Sequence, residues 1–82
     1  MKDRSIPVLI VKWLLSFGTH AHVGQNRTVI YFDKQARKRL KHDVGRKIVD
    51  HLAPLLNAYI LVDSYSMEII TAGHRYKRIK RP

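Results

Sequence analysis

The chain is 82 residues long, with sixteen Lys and Arg against six Asp and Glu, a formal net charge of +10 and 45% hydrophobic residues. That length holds one domain, residues 1–82, and the apolar fraction excludes disorder for its body. With no cysteine, a disulfide framework and a thiolate metal site are both excluded, which fits a cytoplasmic location.

The run IPVLIVKWLLSF, residues 6–17, comes after Lys2 and Arg4 in the manner of a signal peptide. It is too short to span a bilayer, Lys12 interrupts it, and GTHAHVGQ after it makes a poor cleavage site, so no membrane role is expected. VLIV has the β-branched content of a strand, whereas Pro7 suits the first turn of a helix and Gly18 a C-terminal cap. The reading is an N-terminal apolar helix over 6–17. Hydrophobic nearly all round, it needs cover from its own domain or from a second copy, so a homodimer through this helix is expected. GTHAHVGQNR then reads as a loop.

TVIYFD, residues 28–33, reads as a strand, apolar on both faces as a central strand would be. Asp33 suits a helix N-cap. Beyond it Ala36, Leu40, Val44, Ile48, Leu52 and Leu55 recur near i+4, with Val49 and Leu56 beside them, and form one apolar stripe. Gly45 weakens a continuous helix and Asp43 is a second N-cap candidate, so a helix pair breaking near 42–45 is expected. Pro54 limits the second helix or bends its last turn. AYILVD, 58–63, and MEIITAG, 67–73, read as strands joined by the turn SYS. The last strand is expected to reach about residue 76, leaving KRIKRP, 77–82, as a basic tail. The expected fold class is therefore α+β: an N-terminal helix, a strand, a helix pair and a C-terminal antiparallel hairpin, with helices on one face of a small sheet.

Charge is unevenly spread. Lys34, Arg37, Lys38, Arg39, Lys41, Arg46 and Lys47 form one block, and Arg75, Lys77, Arg78, Lys80 and Arg81 a second. Lys34, Lys38 and Lys41 share a side of the helix, as do Arg37 and Lys41. Few acids are interleaved, unlike surfaces that mix signs for solubility. The pattern points to a polyanion, RNA or DNA, bound through Lys34, Arg37, Lys38, Lys41, Lys77, Arg78, Lys80 and Arg81. An acidic protein partner is the alternative.

Other chemistry has little support. His20 and His22 in THAH would need two more zinc ligands, and His42 and His51 are candidates only by number, so no metal and no cofactor are expected. Ser5, Ser64 and Ser66 have no evident His–Asp setting, and no glycine-rich loop cradles a phosphate. Tyr31 and Tyr59 could stack bases if their strand faces are exposed.

VIYFDKQARKRLKHDVGRKIVDHLAPL resembles the opening of the RelE/ParE toxin superfamily, in which a strand feeds a basic helix pair. EIITAGHRYKRIKR resembles its closing strand, where apolar residues precede Gly-His-Arg and a basic, aromatic tail. The two pieces span about residues 28–82, and small nuclease-like domains of mobile elements share the pattern. RelE-type members are ribosome-dependent mRNA endonucleases, ParE-type members act on gyrase, and both are held by an antitoxin. The resemblance implies catalytic roles for His74, Arg75 and Tyr76. The family's additional strand, with its Lys and Arg, has no counterpart in NAYILVDSYSMEI, which holds no cation. Cleavage by 2′-OH attack needs an acid and a base, which His74 could supply, and a phosphate clamp, which Arg75 could supply. Tyr76 could stack on a base. Strand alternation points His74 and Tyr76 to one face and Arg75 to the other, so a shared pocket needs the strand to end or bulge there. Besides an endoribonuclease, two readings stay open: a non-catalytic nucleic-acid-binding accessory protein, and a dimeric protein that binds an acidic partner.

Overall fold

The structure, a computed structural model, describes residues 6–74. In chain order it contains α1 (Val8–Phe17), β1 (Thr19–Gly24), β2 (Arg27–Tyr31), α2 (Lys34–Val44), α3 (Arg46–His51), a short 3-10 turn (Ala53–Asn57), β3 (Tyr59–Asp63) and β4 (Ile69–Gly73). The class is α+β, and the four strands form one antiparallel sheet in the order β1-β2-β3-β4.

The main departure from expectation is β1, which occupies the segment read as a loop. Gln25 and Asn26 both take left-handed backbone, φ 48° and 60°, the geometry of a two-residue hairpin turn whose twist matches the flanking strands. The turn brings Gly24 opposite Arg27 and sets the pairs Thr19–Tyr31 and Ala21–Val29. The strand carries little signal of its own, because small and polar residues dominate THAHVG and the turn lacks an Asn-Gly pair.

Register fixes the two faces of the sheet. Ile30 lies opposite Ile60, and Ile60 opposite Ala72, so these side chains share a face. Ile10, Trp13 and Leu14 of α1, Ala36 and Leu40 of α2 and Val49 of α3 join Ile30, Ile60 and Val62 in the core. The helices therefore cover one face. Thr28 is also buried on this side, its hydroxyl 2.7 Å from that of Ser64. The opposite face presents Ala21, Val29, Tyr31, Tyr59, Leu61 and Thr71.

The chain leaves α1 for β1 at Gly18, a point of close approach. A Cβ there would lie 2.6 Å from Ile30 Cγ2 and 2.6 Å from the Leu14 carbonyl oxygen. The helix pair breaks within the expected interval, at Gly45, whose φ of 100° lies where L side chains are strained. Gly45 takes the cap position. Asp43, a candidate for it, sits inside α2 because the helix continues to Val44. Pro54 falls in the first turn of the 3-10 segment, after α3 has ended at His51.

The β3–β4 connection is built on Asp63. Its carboxylate accepts from the backbone N–H of Tyr65 at 2.9 Å and of Ser66 at 3.0 Å. Met67 has φ 63°, so it cannot extend the ladder, and β4 begins at Ile69 rather than at 67. The extension of the last strand to residue 76 and the tail 77–82 lie outside the described residues. Among those described, no helix is long and apolar enough to cross a membrane.

Candidate nucleic-acid interface

The expected cationic face is set by the start of α2. Asp33 takes extended backbone and its Oδ1 accepts from the Ala36 N–H at 2.8 Å, the geometry of a helix N-cap. The Thr19 hydroxyl donates to the same oxygen at 2.8 Å, so β1 also anchors the cap. The Ala36 N–H holds the Asp33 carboxyl below its ordinary range; burial opposes this, while Thr19 and the charge of Arg39 add to it.

With its core side fixed by Ala36 and Leu40, α2 turns Lys34, Lys38 and Lys41 outward, and all three are exposed. Among the described residues none of the three has a hydrogen-bond or ion-pair partner. Arg37 is half-buried, and its Nη2 donates a long bond, 3.4 Å, to the Leu56 carbonyl. It serves the packing of α2 on the 3-10 turn as well as the surface. Farther on, Arg46 pairs with Asp50 at 3.7 Å on an exposed turn of α3.

Lys41 and His42 in the last turn of α2 agree with its dipole, but other charges on the helix conflict with it. The N-terminal end of a helix is its positive end and favours acids. The first turn of α2 contains no acid and two cations, Lys34 and Arg37. Asp43, in contrast, sits near the C-terminal end, where a negative charge is unfavourable. Neither placement helps the helix, and both make sense if an external anion or base is the partner.

One cleft on this side is not legible in the sequence. Phe17 at the end of α1 and Lys38, Arg39, His42 and Asp43 of α2 line an open depression of about 500 Å³ whose walls are mostly carbon. Arg39 Nη2 donates to the Phe17 carbonyl at 3.1 Å and so ties the two helices together at this point. The cation block and its neighbouring histidine are visible in the sequence. Phe17 is far from them in the chain and only the packing of α1 against α2 brings it in.

The expected catalytic residues separate differently. His74 is exposed at the bend that follows β4. Arg75 and Tyr76 lie outside the described residues, as do Lys77, Arg78, Lys80 and Arg81. His20 and His22 are exposed on the edge strand β1. Among the described residues no group of three or more His, Asp or Glu gathers as a metal site would require. Tyr31 and Tyr59 lie opposite each other on the central strands, on the face away from the helices. Comparison with protein-family models, with curated proteins and with solved structures gives no match.

Proposed function

We propose that this chain is a small RNA-engaging protein of RelE/ParE-like type that holds a phosphate backbone against α2. The observation that carries the reading is the exposed row Lys34, Lys38 and Lys41, set without neutralising partners among the described residues on a helix whose first turn already carries surplus positive charge. A polyanion relieves that repulsion and releases condensed counterions. The second cation block, residues 75–81, adds to the same attraction.

Cleavage of mRNA belongs to the proposal: His74 would act as acid or base, Arg75 would clamp the phosphate and Tyr76 would stack on a base. So do a cytoplasmic setting and an antitoxin, an acidic protein competing with RNA for the cationic face. The test is induced expression of the full chain with growth and total-RNA integrity followed together. Arrest with fragmented mRNA, lost in Arg75→Ala, supports a nuclease. Normal growth with intact RNA, alongside salt-dependent RNA binding in vitro, leaves the non-catalytic accessory protein.

A second reading has its own observation. On the outer side of α1, Val8 is 70% exposed, Leu9 45% and Leu15 43%. Those side chains suit a homodimer through residues 6–17, the interaction-protein alternative. Sedimentation or light scattering of the wild type and of Leu15→Glu tests it: a dimer that becomes monomeric in the variant supports this reading, and a wild-type monomer removes it.

A further inference from the structure

We infer that the cleft between the end of α1 and the last turns of α2 seats one unpaired base of single-stranded RNA, with a preference for a base that carries an exocyclic amino group. The inference deepens the RNA reading above and rests on it.

The lining divides into three kinds of group. Phe17 is the aromatic member, and unpaired bases stack on aromatic rings whatever their identity. Lys38 and His42, one helical turn apart, are exposed at the rim, and neither has a polar partner among the described residues. They are placed to meet the phosphates on either side of a seated base. Arg39 donates from Nη2 to the Phe17 carbonyl at 3.1 Å, which holds its guanidinium beside the ring, and its remaining N–H donors and charge stay exposed at the cleft. The depression, about 500 Å³, is open to solvent, so it can cover one face of a base and does not enclose a nucleotide.

The specific element is Asp43. It is exposed, it lines the same cleft, and it has no hydrogen-bond or ion-pair partner among the described residues. Lys47 stands at i+4 in the sequence but forms no ion pair with it. A carboxylate near the C-terminal end of a helix opposes the dipole, and a carboxylate on a phosphate-binding face repels the backbone. A base amino group accounts for it: the carboxylate accepts from the N4 amino group of cytosine, and uracil offers a carbonyl at the same position. Charge complementarity selects the strand, Phe17 selects unpaired bases over a duplex, and Asp43 selects among the bases.

The test measures binding of the full chain to oligo(rC), to oligo(rU) of equal length and to an RNA duplex, for the wild type, Asp43→Ala and Phe17→Leu. The wild type is expected to bind oligo(rC) roughly 5-fold more tightly than oligo(rU), as one charge-assisted hydrogen bond allows. Asp43→Ala should remove that preference without weakening the duplex. Phe17→Leu, which keeps an apolar side chain against the core, should weaken both single strands roughly 5-fold or more and leave the duplex unchanged. Equal affinity of the wild type for the two oligonucleotides, or a preference that survives Asp43→Ala, overturns the cleft assignment while the α2 reading stands. No binding to any of the three RNAs at low salt overturns the α2 reading itself, and the cleft with it.

Discussion

Asp33 joins three parts of the molecule through one carboxylate: the N-terminal end of α2, the hydroxyl of Thr19 on β1 and the charge of Arg39. Asp33→Ala removes the cap and should cost about 1 kcal/mol, read as a lower midpoint in urea at unchanged slope. The Ala36 N–H first of all lowers the folded-state value of Asp33, and the N–H groups of Ser66 and Tyr65 lower that of Asp63. A carboxyl depressed on folding stabilises the protein above its unfolded value, near 3.8, and that contribution is lost as pH falls through the folded value. Melting followed from neutral pH downward should therefore show an acid limb that is shallower in Asp33→Asn. Two glycines give sharper steric tests. A Cβ at Gly73 would lie 2.7–2.9 Å from the Tyr59 ring and hydroxyl, so Gly73→Ala should destabilise the β3–β4 pair and Tyr59→Ala in the same chain should recover part of the loss. At Gly18 the obstruction includes the Leu14 carbonyl, which is backbone, so trimming Ile30 should rescue Gly18→Ala poorly.

Among the elements, those with a strong local signal are legible from the residues. The apolar side of the start of α2, Ala36 and Leu40, the Asp33 cap and the glycine break need no tertiary information; the expected single stripe does not run on through Ile48, because the break at Gly45 resets the phase, leaving Ile48 50% exposed and Val49 buried. Gly45 holds φ 100°, so Gly45→Ala should cost of order 1–3 kcal/mol, measured by chemical denaturation. β1 is not legible, because its register depends on a turn whose two residues, Gln25 and Asn26, adopt positive φ without a glycine between the strands. The start of β4 escapes the sequence for a related reason: Met67 takes left-handed backbone inside a turn closed by bonds from the Met67 N–H to the Asp63 carbonyl and from the Asp63 N–H to the Glu68 carbonyl, which a methionine does not announce. The candidate site divides in the same way. Its cations are a sequence feature, whereas the cleft exists only because Phe17, at the far end of another helix, is packed beside them. On α1 the fully buried Leu14 anchors that packing. Leu14→Ala should cost about 2–5 kcal/mol and should blunt the cleft along with the fold.

For the whole molecule, the net charge of +10 makes RNA affinity a function of ionic strength. A plot of log affinity against log salt concentration should fall linearly for the wild type. Replacing Lys34, Lys38 and Lys41 together by Gln should reduce the slope by roughly 0.7 for each single-strand phosphate that the variant no longer neutralises. The same triple variant should stay within a few tenths of a kcal/mol of the wild type, since relief of the unfavourable charge of Lys34 at the positive end of α2 offsets the support lost with Lys41 in its last turn. Weaker binding joined to nearly unchanged stability would separate recognition from folding on this surface.

The order of the sheet has a consequence in time. The β1–β2 and β3–β4 ladders each close over a short connection, whereas β2 and β3, its two central strands, are neighbours in space with the entire stretch 32–58 between them. Closing that stretch costs chain entropy before any central pair repays it, so the outer hairpins can form and dissolve many times before the middle of the sheet is made. Once formed, the amides of Val29 to Tyr31 and Tyr59 to Leu61 should exchange with deuterium only through global opening. Those of β1 and the far edge of β4, each paired on one side among the described residues, should exchange first. The slowest amides would then mark the seam at which the two halves of the chain meet.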